Sequence, residues 1–241
     1  MLIERNKFYA NYCSGVQIYT AQNAIIRGND FFGNGVGGNG TNGDCFGVVS
    51  YGSGHQIYNN IVRDHPGANS GIYLRDGGQK VFFNTIYRNA IGITIGSGAG
   101  GSEVRNNIVY QNSASINGSA TQSHNLFSDP KFVNASAGDF HLQAGSPAIS
   151  AGVAVSGVTT DKDGRPRPNP PSIGAYESGS SVPSPPTNLV IIPESSDLVY
   201  PVPQQQQPPA STSQPSGPST SQIATPFLVA GVVVAALLLS D

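Results

Sequence analysis

The chain has 241 residues and a formal net charge of −2, with 12 Lys and Arg against 14 Asp and Glu. Charged residues make up 11%, less than half the roughly 25% of an ordinary soluble domain. That balance excludes a basic footprint for nucleic acid. Two Cys exclude a disulfide-dense scaffold, and Met1–Arg5 does not read as a signal peptide, because charge arrives before any apolar run.

Taken from the N-terminus, five segments share one pattern: IERNKFYAN, IIRGNDFFGN, IYNNIVRDH, VFFNTIYRN and VRNNIVYQN. Their anchors are Asn6, Asn29, Asn60, Asn84 and Asn107. The spacing is about 23 residues, with one wider step, within the range of solenoid repeats. Three residues before each anchor stands Ile3, Ile26, Ile57, Val81 or Val104. Two after stands Phe8, Phe31, Val62, Ile86 or Val109, and five after stands Asn11, Asn34, His65, Asn89 or Asn112. Between these segments a second set begins at Gly15, Gly47, Gly71 and Gly92, with mostly apolar residues one and three places later. Alternation of period two marks half-buried strands.

The pattern predicts an all-β right-handed parallel β-helix over residues 1–122, with rungs stacked about 4.8 Å apart. A leucine-rich solenoid is the competitor, and its Leu spacing is absent. The Asn columns are expected to be left-handed turn residues whose amides hydrogen-bond up the stack. Met1 falls in mid-rung, so the reading also expects an N-terminally truncated helix.

Columns let each charged residue be compared with its equivalents. Residues 59–78 gather Arg63, Asp64, His65, Arg75 and Asp76. His65 stands where other rungs have Asn, which favours a turn role over catalysis. Asp64 shares its column with Ala10, Gly33, Arg88 and Gln111, which suggests solvent. Arg75 shares an outward column with Tyr19, Tyr51 and Gly96, beside the column of Gln17, Val49, Tyr73 and Thr94, and Asp76 follows at the rim. Tyr19, Tyr51, Tyr73, Arg75 and Asp76 are therefore the candidate substrate-binding residues: aromatic faces stack on sugars and a guanidinium grips a carboxylate. The alternative is an ordinary outward strand face, where Tyr is favourable. A further file of Tyr9, Phe32, Arg63, Tyr87 and Tyr110 reads either as a binding stripe or, the favoured reading, as packing under a loop such as the Gly-rich insertion at 34–44. Cys13 and Cys45 each precede their column Gly by two residues, placing them in adjacent rungs within disulfide range; stacked free thiols are the equal alternative.

Residues 123–177 carry the most specific motifs: Asn125-Leu126-Phe127, Asp129-Pro130, Asp139-Phe140-His141-Leu142, Gly145-Ser146-Pro147-Ala148-Ile149, Ala151-Gly152, Asp163-Gly164-Arg165-Pro166-Arg167 and Ile173-Gly174-Ala175-Tyr176-Glu177. The stretch closely resembles the C-terminal, helix-closing segment of choice-of-anchor Q domain-containing proteins, in the pectate-lyase-like superfamily. With the rungs, the resemblance covers about residues 1–177. It implies work on, or binding of, polysaccharide, and its relatives include lyases for acidic polysaccharides. β-Elimination needs the uronate carboxylate neutralised and a base for the proton removed. On that reading Arg75 neutralises, and Tyr73 or His65 is the base. No cofactor is certain. Ca²⁺ is the one such lyases would use, yet Asp44 and Asp76 are isolated and no metal cluster is visible on the rungs. Asp161-Lys162-Asp163-Gly164 is read as a turn, since no Glu ligand follows.

From Ser178 the composition changes. Residues 178–224 form a Pro/Ser/Gln-rich linker whose opening is similar to a fibronectin type III strand, and 225–241 a hydrophobic tail with Phe227–Leu239 uninterrupted. As a helix that run spans about 20 Å, short against a hydrocarbon core of about 30 Å. Small residues near Ser211–Ser213 or Ser216–Gly217 fit a GPI-type signal; a bacterial sorting tail or a marginal membrane anchor are the other readings. All three expect a monomeric, extracellular protein tethered to membrane or cell wall. The expected function is polysaccharide binding or a lyase-like activity. The alternative is a non-catalytic adhesion module or a truncated, inactive remnant.

Overall fold

The computed structural model describes residues 1–19, 21–35, 45–65 and 70–179, and the backbone of two short strands at 228–229 and 232–233. The chain winds as a parallel β-solenoid, three strands to a rung. The first rung is β1 (Leu2–Glu4), β2 (Lys7–Tyr9) and β3 (Val16–Ile18). The second is β4 (Ile25–Arg27), β5 (Asp30–Phe32) and β6 (Phe46–Ser50). The third is β7 (Gln56–Tyr58), β8 (Ile61–Arg63) and β9 (Ser70–Asp76). The fourth is β10 (Lys80–Phe82), β11 (Thr85–Tyr87) and β12 (Ile91–Gly98). The fifth is β13 (Glu103–Arg105), β14 (Ile108–Tyr110) and β15 (Ala114–Asn117), and β16 (Thr121–Ser123) begins another. Each strand pairs in parallel with its equivalents, giving a first sheet β1-β4-β7-β10-β13-β16, a second β2-β5-β8-β11-β14 and a third containing β3-β6-β9-β12-β15.

Registers follow the sequence columns. Ile3, Ile26, Ile57, Val81 and Val104 align in the first sheet, and Phe8, Phe31, Val62, Ile86 and Val109 in the second. Their side chains fill one continuous core with Val16, Val48, Ile72 and Ile93 of the third. Phe8 and Phe31 stack inside it with centroids 4.9 Å apart. Each fully buried aliphatic or aromatic side chain of this kind contributes roughly 1.5–3 kcal/mol. The core is thus the main term opposing the entropy of ordering so short a set of strands.

The asparagine columns form hydrogen-bonded ladders. Asn84 is representative. Its backbone N–H and Nδ2 donate to Asn107 Oδ1 at 2.9 and 3.0 Å, Nδ2 also donates to the Ile57 carbonyl at 2.8 Å, and its Oδ1 accepts two bonds from Asn60 at 3.0 Å. The ladder residues are not the left-handed ones, as the columns had suggested. The residue before each takes that conformation: Arg5, Gly28, Asn59, Phe83, Asn106 and His124 before one ladder, and Ala10, Gly33, Asp64, Arg88 and Gln111 before the other, all at positive φ. The left-handed residue turns the chain, and that turn aims the next side chain inward along the axis. A non-glycine residue there costs about 1–2 kcal/mol, which the fully satisfied buried amide offsets. Asp64 is thus a turn residue, and its carboxylate is ion-paired with Arg63 and Arg88 at 2.7 and 3.2 Å.

The Gly column at 15, 47, 71 and 92 answers to close approach. A Cβ on Gly47 would lie 2.5 Å from both the Gly71 carbonyl oxygen and His65 Nε2. Cys13 and Cys45 are joined by a disulfide with Cα atoms 4.5 Å apart, tying the first rung to the second.

After the rungs the chain lies along two outer faces of the solenoid. Val155 and Val158 pack on Tyr58, Phe82 and Phe83 outside the first sheet. β17 (Phe132–Asn134) and β18 (Asp139–Leu142) form a hairpin around a 3₁₀ turn at Ala135–Ala137. This hairpin places Phe132 and Phe140 on Tyr87 outside the second sheet. In the aromatic file, Tyr87 and Tyr110 are packed by this hairpin; residues 36–44 of the insertion lie outside those described. A buried clasp holds the segment. Arg167 donates to Glu177 Oε1 at 2.6 Å and to Asn59 Oδ1 at 2.7 Å, and lies 4.0 Å above the Phe83 ring. Asp161 accepts from the backbone N–H groups of Asp163, Arg165 and Glu177. The Asp161–Gly164 stretch is a turn, as its spacing implied, and its carboxylate is spent on its own backbone.

Near the C-terminus β19 (Leu228–Val229) and β20 (Val232–Val233) pair antiparallel, and β20 pairs antiparallel with β3. The remainder of the linker and tail, on which the anchor readings fall, lies outside the described residues. Among the described residues no helix is long and apolar enough to cross a membrane.

Candidate functional site

Among the described residues, the segment after the rungs covers the outer faces of the first and second sheets and not that of the third. Val16 and Ile18 point inward and are buried, so Gln17 between them and Tyr19 beyond point out. Register carries this along the stack: Gln17, Val49, Tyr73, Thr94 and Asn117 form one column. Tyr19, Tyr51 and Arg75 follow as the next outward positions. The structure thus brings together Tyr19, Tyr51, Tyr73, Arg75 and Asp76 on one wall.

The rings use their faces on one another. Tyr19 and Tyr51 stack with centroids 4.3 Å apart and planes 16° apart. Arg75 Cζ lies 5.1 Å from the Tyr51 centroid, so Tyr51 is held between a ring and a guanidinium. Tyr73 stacks on Phe46 at 4.8 Å. A sugar meeting this wall meets ring edges and hydroxyls, where the sequence suggested free faces. The missed partner was Phe46, which stands before its column Gly where other rungs place Ser14, Ser70 and Ile91.

Arg75 is exposed, and the Tyr51 hydroxyl holds its guanidinium more firmly in the charged form through a hydrogen bond. Among the described residues no carboxylate is ion-paired with it, whereas Arg27, Arg63, Arg88, Arg105, Arg165 and Arg167 each have one. Its Cζ lies over the Tyr51 ring, and a guanidinium fork without an acid partner among the described residues suits a carboxylate received through two parallel bonds. Asp76 is committed differently: its Oδ2 accepts from the Gly52 N–H at 2.6 Å. β12 is irregular between Ile95 and Gly98, which sets Gly98 opposite Asp76.

An open depression of about 480 Å³ runs beside Tyr19, Gln22, Tyr51, Ser53 and Asp76. A second, of about 670 Å³, follows over Gly96, Ser97, Gly100, Gly101 and Gly118–Thr121. Both lie where the third sheet turns toward the first, one beside the first three rungs and the other beside the fourth and fifth, and Arg75 lines neither.

His65 is not on the wall. It is buried inside the solenoid, and its Nδ1 accepts from the Asn34 N–H at 3.0 Å. Burial first, and the Arg63 charge second, push its pKa down to about 3. A neutral imidazole enclosed by core side chains reaches no substrate, so its role as a base is withdrawn. A Ca²⁺ site does not fit the wall either: Ca²⁺ takes six to eight oxygens, Asp76 is the wall's carboxylate, and Asp44 lies outside the described residues. Among the described residues no group of three or more His, Cys, Asp or Glu is arranged to hold a metal.

Residues 1–157 match the family model described as right handed beta helix region. The chain belongs to that family. This β-helix protein is also similar in fold to a solved structure titled pectate lyase Pel9A, at 17% identity and a TM-score of 0.41. The match covers 74% of this chain and 65% of that one, so the β-helix protein spans less than two thirds of that neighbour's length. No curated protein matches it.

Proposed function

We propose that this chain binds an acidic polysaccharide along the outer wall of its third sheet. The observation that carries the proposal is Arg75: an exposed guanidinium with its Cζ 5.1 Å from the Tyr51 ring centroid and no acid partner among the described residues. The closing motifs of residues 123–177 support the finer assignment to the choice-of-anchor Q type. The Cys13–Cys45 disulfide supports an oxidising, extracellular setting, and the apolar tail supports attachment at a cell surface.

Binding has more support than elimination. A lyase needs a base beside the neutralising cation; Tyr73 is stacked on Phe46 and His65 is enclosed. The test is affinity electrophoresis against pectate, alginate and neutral glucans, with ultraviolet absorbance followed for unsaturated products. Arg75→Ala is expected to weaken binding to acidic polymers by about tenfold or more, with no unsaturated product from either protein. Unchanged binding in that variant, or binding to neutral polymers alone, would overturn the assignment.

A further inference from the structure

The wall is poor in charge. Along its rungs the outward groups are Gln17 and Tyr19, then Val49, which is fully buried, and Tyr51, then Tyr73 and Arg75, then Thr94 and Gly96. Among the described residues its formal charges are one guanidinium and one carboxylate, Asp76, whose Oδ2 accepts from the Gly52 N–H. The depression beside Tyr19 and Tyr51 includes Asp76, and the one beyond Arg75 is floored by Gly, Ser, Ala and Thr with the Ile95 side.

A pyranose unit advances about as far along its chain as one rung does along the solenoid, roughly 5 Å. A polymer with a carboxylate on every sugar would therefore present one to each rung. One carboxylate meets Arg75. Its neighbours meet tyrosine edges on one side, with Asp76 at the rim, and uncharged backbone on the other. No cation among the outward residues of these rungs receives them, and the chain's net charge of −2 adds no compensating field.

Resting on the polysaccharide reading, we infer that the wall selects an acidic polysaccharide of low charge density, in which an isolated acidic sugar is flanked by neutral ones. Arg75 reads the acidic sugar, and the uncharged positions on either side read its neighbours. Asp76 acts against densely charged chains, which is specificity by repulsion.

The experiment is a titration of the full chain, by calorimetry, against polygalacturonate and the same polymer methyl-esterified to increasing extents. Affinity is expected to pass through a maximum at intermediate esterification. The fully charged polymer should bind about tenfold more weakly than that maximum, and the fully esterified one, which lacks an anion for Arg75, should also bind weakly. Asp76→Asn is expected to narrow the gap between the maximum and the fully charged polymer, and Arg75→Ala to remove the maximum. Affinity that rises steadily to the fully charged polymer overturns the selectivity and leaves acidic binding standing. Failure of the whole series to bind overturns both.

Discussion

Arg63 and Arg75 sit one strand apart in the same rung, and each lies over an aromatic ring of the rung before. Arg63 Cζ is 4.6 Å from the Phe32 centroid and Arg75 Cζ is 5.1 Å from that of Tyr51. Their surroundings differ. Arg63 is ion-paired with Asp64 at 2.7 Å and lies 5.8 Å from Phe140 of the covering hairpin. Arg75 has neither cover nor acid partner among the described residues. A cation on a ring is thus covered and ion-paired on the second sheet and exposed on the third. What separates them is whether the chain has folded back over the face. The segment at 130–177 places its apolar residues and its buried ion pair on the first two sheets, and the surface proposed for binding is on the third.

The largest effect that could break this contrast comes from the clasp. Arg167→Ala leaves Glu177 buried, facing the Ser172 N–H but without its cation. Removing one partner of a buried pair costs roughly 3–5 kcal/mol. Urea denaturation should show a midpoint lowered accordingly, and Glu177→Gln a smaller drop in the same direction. Arg75→Ala, by contrast, should stay within about 0.5 kcal/mol of the parent. Equal losses in the two would mean that both walls are structural.

The next effect lies inside the solenoid. His65 interrupts a ladder that is Asn in the other rungs, and both His65 Nε2 and Asn89 Oδ1 are buried without a partner. Its folded pKa, about 3, is below the ordinary histidine value. The unfolded chain therefore binds the extra proton first as pH falls. Stability rises with pH across this interval and is lost on acidification from about 6.5 downward, at up to 1.4 kcal/mol per pH unit. His65→Asn should gain about 1 kcal/mol at neutral pH by rejoining the ladder, and should lose that part of the acid sensitivity. Parallel stability–pH curves for the two proteins would show that His65 carries no such load.

The rungs were legible because stacking forces every turn of the chain to solve one problem again. Ile26, Ile57 and Val81 meet the same core, and Asn60, Asn84 and Asn107 the same turn, so columns expose them without an alignment. The left-handed residues were missed by one place because Arg5, Phe83 and Asn106 share a backbone conformation and no side-chain chemistry. The wall was legible as a set of residues, and its geometry was not. Whether Tyr51 shows a face to solvent depends on the residue stacked one rung below it. The covering hairpin and the clasp occur once each, so no column reported them. Only contacts between residues far apart in the chain, such as Arg167 with Asn59, reveal what Asp163–Arg167 and Ile173–Glu177 do.

The smallest effect tests the edge of the covered region. His141 on β18 has Nδ1 2.6 Å from Asp139 Oδ1 and Nε2 2.9 Å from Asp163 Oδ2, and its ring stacks on Tyr176 at 4.0 Å. Carboxylates only accept, so both ring nitrogens must donate, and only the imidazolium does so. Burial lowers the histidine pKa, but the bonds to Asp163 and Asp139 raise it further, and the balance is upward. A raised folded-state value means that the stabilisation is complete below the ordinary pKa of about 6.5. It is lost as pH climbs through the raised value. The cluster is partly solvated, so the effect is small: a melting temperature about two degrees lower once the proton has gone. In His141→Gln that alkaline decline should vanish while polysaccharide binding on the far wall is unchanged. If binding falls together with the hairpin, the covered and open faces are coupled, and the wall of the third sheet is not an independent site.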